Sequence, residues 1–100
     1  MIIKFNGELD HHSTELARKK IDKKYLNGNI KNVIMDFSKL NFMDSSGIGL
    51  IIGRYKLINK NGGKLVIVCS DKRVNKIFEM SGIMKIIDIY PNIKSAVDKI

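Results

Sequence analysis

Val33-Ile34-Met35-Asp36-Phe37, then Asp44-Ser45-Ser46-Gly47-Ile48-Gly49, then Leu65-Val66-Ile67-Val68-Cys69: this run decides the fold. Its first part is almost continuously apolar, as expected of a strand covered on both faces. Ser38 to Phe42 reads as a connecting turn. A helix then opens at Asp44–Gly47 and carries Ile48, Ile51, Ile52, Tyr55 and Ile58 on one stripe. Asn61-Gly62-Gly63 ends it, with Lys56 and Lys60 near the negative end of its dipole. Lys64 to Cys69 follows as a second buried strand. Two strands of this kind joined by a helix argue a parallel crossover unit.

The same alternation extends outward. Ile2, Ile3 and Phe5 make a short strand that ends at Asn6-Gly7. Ser13 is the expected N-cap of a helix with Ala17, Ile21 and Tyr25 at helical spacing, stopped by Asn27-Gly28-Asn29. Asp71 begins a further helix with Val74, Ile77 and Phe78 inward, broken at Ser81-Gly82. Ile86 to Tyr90 is a strand, and Pro91-Asn92 leads into a last helix with Ile93, Ala96, Val97 and Ile100 on one face. The order β-α-β-α-β-α-β-α predicts an α/β domain with a mixed, mostly parallel sheet of about four strands.

At 100 residues the chain is one domain, 1–100, of ordinary globular composition, 44% hydrophobic and 28% charged. That excludes disorder, collagen and coiled coil as whole-chain descriptions. No apolar run is long enough to span a membrane. The N-terminus turns acidic too soon for a secretory signal. The single cysteine, Cys69, forms no internal disulfide and reads as a buried thiol in a reducing cytoplasm. His11 and His12 with one cysteine give no metal-site spacing. The net charge of +8 comes largely from lysines scattered along the chain. The densest cluster, Arg18, Lys19, Lys20, Lys23 and Lys24, is diluted by Glu15 and Asp22, a solvated helix face rather than a nucleic-acid footprint.

Gly47-Ile48-Gly49-Leu50-Ile51-Ile52-Gly53 is one residue off a dinucleotide fingerprint and lies inside the helix rather than opening it. Close backbone approach at the helix start explains Gly47 and Gly49, and tight helix packing explains Gly53. Ser45 and Ser46 beside Asp10, His11, His12 and Asp44 suggest a hydrolase, but the nucleophile elbow G-x-S-x-G is absent. An enzyme is not expected. Capping alone accounts for Asp44 or Ser45. It does not account for two serines followed by two close glycines, each weakening a helix start by roughly 0.5–1 kcal/mol relative to alanine. Ligands and partners of parallel α/β sheets dock at the carboxyl ends of the strands, which is where this segment falls.

Gly7-Glu8-Leu9-Asp10-His11-His12, Phe42-Met43-Asp44-Ser45-Ser46-Gly47-Ile48-Gly49, Gly53-Arg54-Tyr55-Lys56 and Phe78-Glu79-Met80-Ser81-Gly82-Ile83 resemble the STAS-domain anti-sigma factor antagonists, and within them the sporulation branch. The likeness covers essentially the whole chain, in family order. It implies partner switching. The unphosphorylated antagonist binds an anti-sigma factor that is also a serine kinase and so frees a sigma factor. The kinase phosphorylates the antagonist on the serine after the motif aspartate, and a serine phosphatase resets the cycle. By motif position the phosphoacceptor is Ser45. The partner surface implied by the resemblance comprises Asp10, Asp44, Ser45, Ser46, Gly47, Gly49, Arg54, Ser81 and Gly82, with Arg54 about one helical turn beyond the motif. No cofactor is implied, ATP belonging to the kinase, and neither nucleic acid nor membrane is a direct partner. The protein is expected in the cytoplasm. The first family strand is expected to be missing, which leaves Ile2, Ile3 and Phe5 on an unprotected edge.

The physics suits such a switch. A phosphoryl group brings about −1.5 to −2 charges at pH 7, and a helix N-terminus accommodates an anion. The modification therefore places charge and bulk on a docking surface without unfolding the domain. Rival readings are a general-stress antagonist, a ligand-sensing or transport-associated STAS module, a nucleic-acid binder and a small hydrolase.

Overall fold

The computed structural model describes residues 1–100. Strands β1 (Ile2–Leu9), β2 (Val33–Met43), β3 (Leu65–Val68) and β4 (Ile89–Tyr90) form one sheet in the order β1-β2-β3-β4. All three pairings are parallel, so the sheet is wholly parallel where the sequence reading allowed a mixed one. Helices α1 (His11–Asn27), α2 (Ser45–Lys60) and α3 (Lys72–Ser81) connect successive strands, and α4 (Ile93–Lys99) closes the chain.

The odd-numbered residues of β2 and β3, Val33, Met35, Phe37, Leu65 and Ile67, share one core with Ile21 and Tyr25 of α1, Ile51 and Ile58 of α2, and Val74 and Phe78 of α3. Phe37 stacks on Phe5 (ring centroids 4.7 Å) and meets Phe78 at 5.7 Å, joining β1, β2 and α3. The opposite face, Ile34, Val66 and Val68, is covered by Ala96 of α4 with Ile93 and Ile100. Val97, expected on that face, is half exposed instead.

Other expectations need correcting. The first strand does not end at Asn6-Gly7 but passes through Gly7, whose φ of 75° is a left-handed value glycine adopts without strain. Ser13 is not the cap of α1. Asp10 is the cap: its carboxylate accepts from the Ser13 amide (2.9 Å), and the Ser13 hydroxyl accepts from the Asp10 amide (2.9 Å). This reciprocal box satisfies two otherwise orphaned donors.

Ser38 to Phe42 is not a turn but the second half of β2. The ladder steps from Lys4–Asp36 to Asn6–Lys39 and from Gly7–Leu40 to Glu8–Phe42, so β2 carries an extra residue at each step. These bulges change the spacing of buried residues to three, at Phe37, Leu40 and Met43, and hide the strand period. Asp36 secures the first bulge by accepting from the Ser38 amide (3.0 Å) and hydroxyl (2.6 Å). The strand expected over Ile86–Tyr90 is confined to Ile89–Tyr90, because the Ile86 and Ile87 amides turn back to donate to the Ile83 carbonyl (3.1 and 3.0 Å) after a 3₁₀ turn over Ile83–Lys85.

Candidate docking and modification site

Three aspartates follow the first three strands, and each caps the next helix. Asp10 caps α1, Asp44 caps α2, and Asp71 caps α3 through the Arg73 and Val74 amides. The carboxyl edge of the sheet thus bears a row of aspartate-capped helix starts, set by one short loop chemistry used three times. Asp10 and Asp44 are drawn together because the Asp44 amide donates to the Leu9 carbonyl at 3.3 Å. The Asp10 carboxyl is held below its usual 3.8, first by the Ser13 amide and then by the Ser13 hydroxyl.

Asp44 has extended backbone (φ −104°), and its Oδ1 accepts from the Ser46 amide at 2.8 Å while its carbonyl accepts from the Gly47 amide at 3.0 Å. That assigns the cap to Asp44 and leaves Ser45 as the first residue of α2. Ser45 is exposed, and its hydroxyl makes no hydrogen bond within the chain. Ser46 is half-buried and turns toward α1, where it lines a groove of about 310 Å³ with His11, Thr14, Gly49 and Arg54. The adjacent serines therefore differ: one projects into solvent, the other into an interhelical cleft.

The three glycines of α2 also differ. Gly47 is buried, and a Cβ there would overlap the side chain of Met43 and come within 3.3 Å of Leu9 Cδ2. Gly49 is exposed, and a Cβ would meet nothing within 4 Å. Gly53 likewise faces open space, so the tight helix packing expected of it is absent. It floors the cleft between α1 and α2.

Arg54 is not displayed beside the motif. It lies nine residues beyond Ser45, about 13 Å along the helix and more than two turns away. Its side chain is only 14% exposed and its Nε stands 3.0 Å from Asp22 Oδ1 of α1. Neither atom has a hydrogen-bond partner of good geometry, so the contact is an ion pair. Asp22 also faces Arg18 at 3.7 Å, which in turn reaches Glu15 at 3.0 Å. Asp22 was not singled out from sequence. Its spacing of four from Arg18 marks a same-helix pair, but nothing local announces the contact with α2.

Ser81 and Gly82 are not brought to this edge. Helix α3 starts at the carboxyl end of β3 and runs back across the sheet for ten residues, about 15 Å, so they sit at the opposite end. Their local work is termination: Gly82 adopts φ 79° and its amide reaches the Glu79 carbonyl, while the Ser81 hydroxyl donates to the Phe78 carbonyl at 2.9 Å. Asp10, Asp44, Ser45, Ser46, Gly47 and Gly49 do converge. No cluster of three or more His, Cys, Asp or Glu side chains is arranged to hold a metal ion. No helix is long and apolar enough to cross a membrane.

Fold and site together define a small, singly wound parallel α/β domain that presents an unengaged serine at the carboxyl edge of its sheet. The chain belongs to the STAS domain family, whose profile matches residues 1–96. It is 39% identical over 92 residues to an anti-sigma F factor antagonist of Paenibacillus polymyxa, covering 92% of this chain and 79% of that protein. The structure of the anti-sigma factor antagonist SpoIIAA in its unphosphorylated form superposes with a TM-score of 0.85 at 34% identity, over 98% of this chain and 84% of that one. The Bacillus cell fate determinant SpoIIAA in the phosphorylated form gives a TM-score of 0.74 at 33% identity, over 98% and 87% of the two chains.

Proposed function

We propose that this protein is an anti-sigma factor antagonist switched by phosphorylation of Ser45. In the unphosphorylated form it binds an anti-sigma factor that is also a serine kinase, and a sigma factor is released. Phosphoryl transfer from kinase-bound ATP to the Ser45 hydroxyl ends the complex, and a serine phosphatase restores the free hydroxyl. The protein is the substrate of both reactions, acts in the cytoplasm and needs no cofactor of its own. Likeness to an anti-sigma F factor antagonist favours a role in sporulation over a general-stress role.

The observation that carries this reading is the state of Ser45: exposed, without an internal hydrogen bond, and first in a helix whose start lies beside a second aspartate-capped one. Added charge there sits at the positive end of the α2 dipole, so the fold tolerates it. A partner seated over the same edge meets new bulk and charge beside Asp44. Like-charge juxtaposition across an interface costs several kcal/mol, and 1.4 kcal/mol already changes affinity tenfold.

Incubation with anti-sigma kinases of the F and general-stress types and ATP, followed by intact mass and site mapping, tests the proposal. One phosphoryl group on Ser45 with the F-type kinase is expected. Ser45→Ala should still bind that kinase but take up no phosphate. Phosphate on Ser46 alone, or no complex with either kinase, overturns it.

A further inference from the structure

Of the four phenylalanines, Phe5, Phe37 and Phe78 are buried, whereas Phe42 is 50% exposed. The ladder puts it outside. Between the pairs Gly7–Leu40 and Glu8–Phe42, β2 carries one extra residue, Asn41. Phe42 therefore shares the exposed face of Glu8, while Met43 shares the buried face of Leu9. The ring belongs to neither buried cluster. It stands three residues before Ser45, at most about 11 Å away along the chain. We propose, on the reading of Ser45 as the switch, that Phe42 is the apolar anchor of the same docking surface, seated in an apolar pocket of the anti-sigma factor whose rim is basic.

Charge defines the rim. Residues 5–17 and 40–53, which hold the strand ends and helix starts around Ser45, contain no lysine or arginine, although the chain has 18. They contain Glu8, Asp10, Glu15 and Asp44. Glu15 is engaged by Arg18 at 3.0 Å, which leaves Glu8, Asp10 and Asp44 at the edge. Glu8 stands directly opposite Phe42 in the ladder, and paired strands lie about 4.8 Å apart. A chain of net charge +8 thus sets an acidic rim beside one exposed ring. Aromatic side chains in apolar pockets, surrounded by polar contacts that exclude water, carry most of the affinity of protein interfaces. Opposite charge on the rim steers a partner to this face rather than to the lysine-rich remainder.

Calorimetric titration of the unphosphorylated full chain into an F-type anti-sigma kinase tests the anchor. Phe42→Thr keeps a good strand former in place and should weaken binding about tenfold or more, with no fall in the thermal unfolding midpoint. Phe42→Leu keeps an apolar side chain and should bind more tightly than Phe42→Thr. Leu26→Ala removes a more exposed apolar side chain (68%) at the far end of α1 and should bind as the native chain does. Glu8→Gln should weaken binding a few-fold at low salt and not at high salt. Native affinity in Phe42→Thr, or an equal loss in Leu26→Ala, overturns the anchor. A Glu8→Gln variant that matches the native chain at every salt concentration overturns the basic rim. Both results leave the switch standing if the kinase still phosphorylates Ser45, whereas a native chain that binds no kinase overturns switch and anchor together.

Discussion

The Asp44 amide donates to the Leu9 carbonyl, and this one hydrogen bond (3.3 Å) sets the caps of α1 and α2 side by side. Leu9 ends β1 and Asp44 directly follows β2, so the last rung of the ladder positions the candidate site. A packed scaffold thereby holds Ser45 beside Asp10, although the residues are far apart in sequence.

Gly47 and Gly49 should respond oppositely to alanine. At Gly47 the new methyl drives into the side chain of Met43, which is itself buried in the core, so Gly47→Ala should cost about 1–3 kcal/mol. At Gly49 it meets open space, and the better helix former should leave stability unchanged or raise it by up to ~1 kcal/mol. Thermal unfolding separates the two. Partner binding should weaken in Gly49→Ala despite its stability, and equal binding would remove Gly49 from the docking surface.

The pair Arg54–Asp22 should show up in a double-mutant cycle. Arg54→Met leaves the Asp22 carboxylate with only Arg18 at 3.7 Å, and Asp22→Asn leaves a mostly buried guanidinium without its partner. Each single change should cost about 1–3 kcal/mol, and the double variant less than the sum. Full additivity in urea unfolding would mean that the contact contributes nothing.

Acid should loosen the start of α1 through Asp10. Its folded carboxyl titrates below 3.8, so its contribution is present above that value and is lost as pH falls through the lowered folded one. Asn at the same place still caps a helix but does not titrate. In Asp10→Asn the Ser13 amide shift should stay flat between pH 5 and 2, where the native chain shows a step. A step of equal size in the variant would assign it to another group.

Phosphorylated and free forms should share one fold. Amide shift changes should be confined to Asp10 and to Asp44 through Gly49. Ser81-Gly82, at the far end of α3, and Ile93 to Ile100, on the opposite face, should keep their shifts. Changes spread through α4 would indicate a global rearrangement instead.

Most of the element order was legible in the chain because its signals are local. Apolar runs of strand length, Asp and Asn caps, and Asn-Gly or Ser-Gly stops each act within a few residues. The motif around Ser45 was legible for the same reason. What escaped was non-local. The second half of β2 was hidden because bulges turned a period of two into three, and only pairing with β1 keeps Ser38–Phe42 extended. Asp10 rather than the expected Ser13 is the cap because a capping box joins both residues, and backbone geometry decides which of them is the cap.

The chain by itself determined that strands and helices alternate, that one serine follows an aspartate at a helix start, and that no alanine stands among the glycines after it. Only the tertiary structure decided that Gly47 is a packing residue and Gly49 an open one, that Arg54 clamps α1 through Asp22, and that Ser81-Gly82 lies away from Ser45. The reason is that caps and periodicity depend on neighbours in sequence. Exposure, ion pairing between helices and distance across a sheet depend on which surfaces meet once the strands have paired.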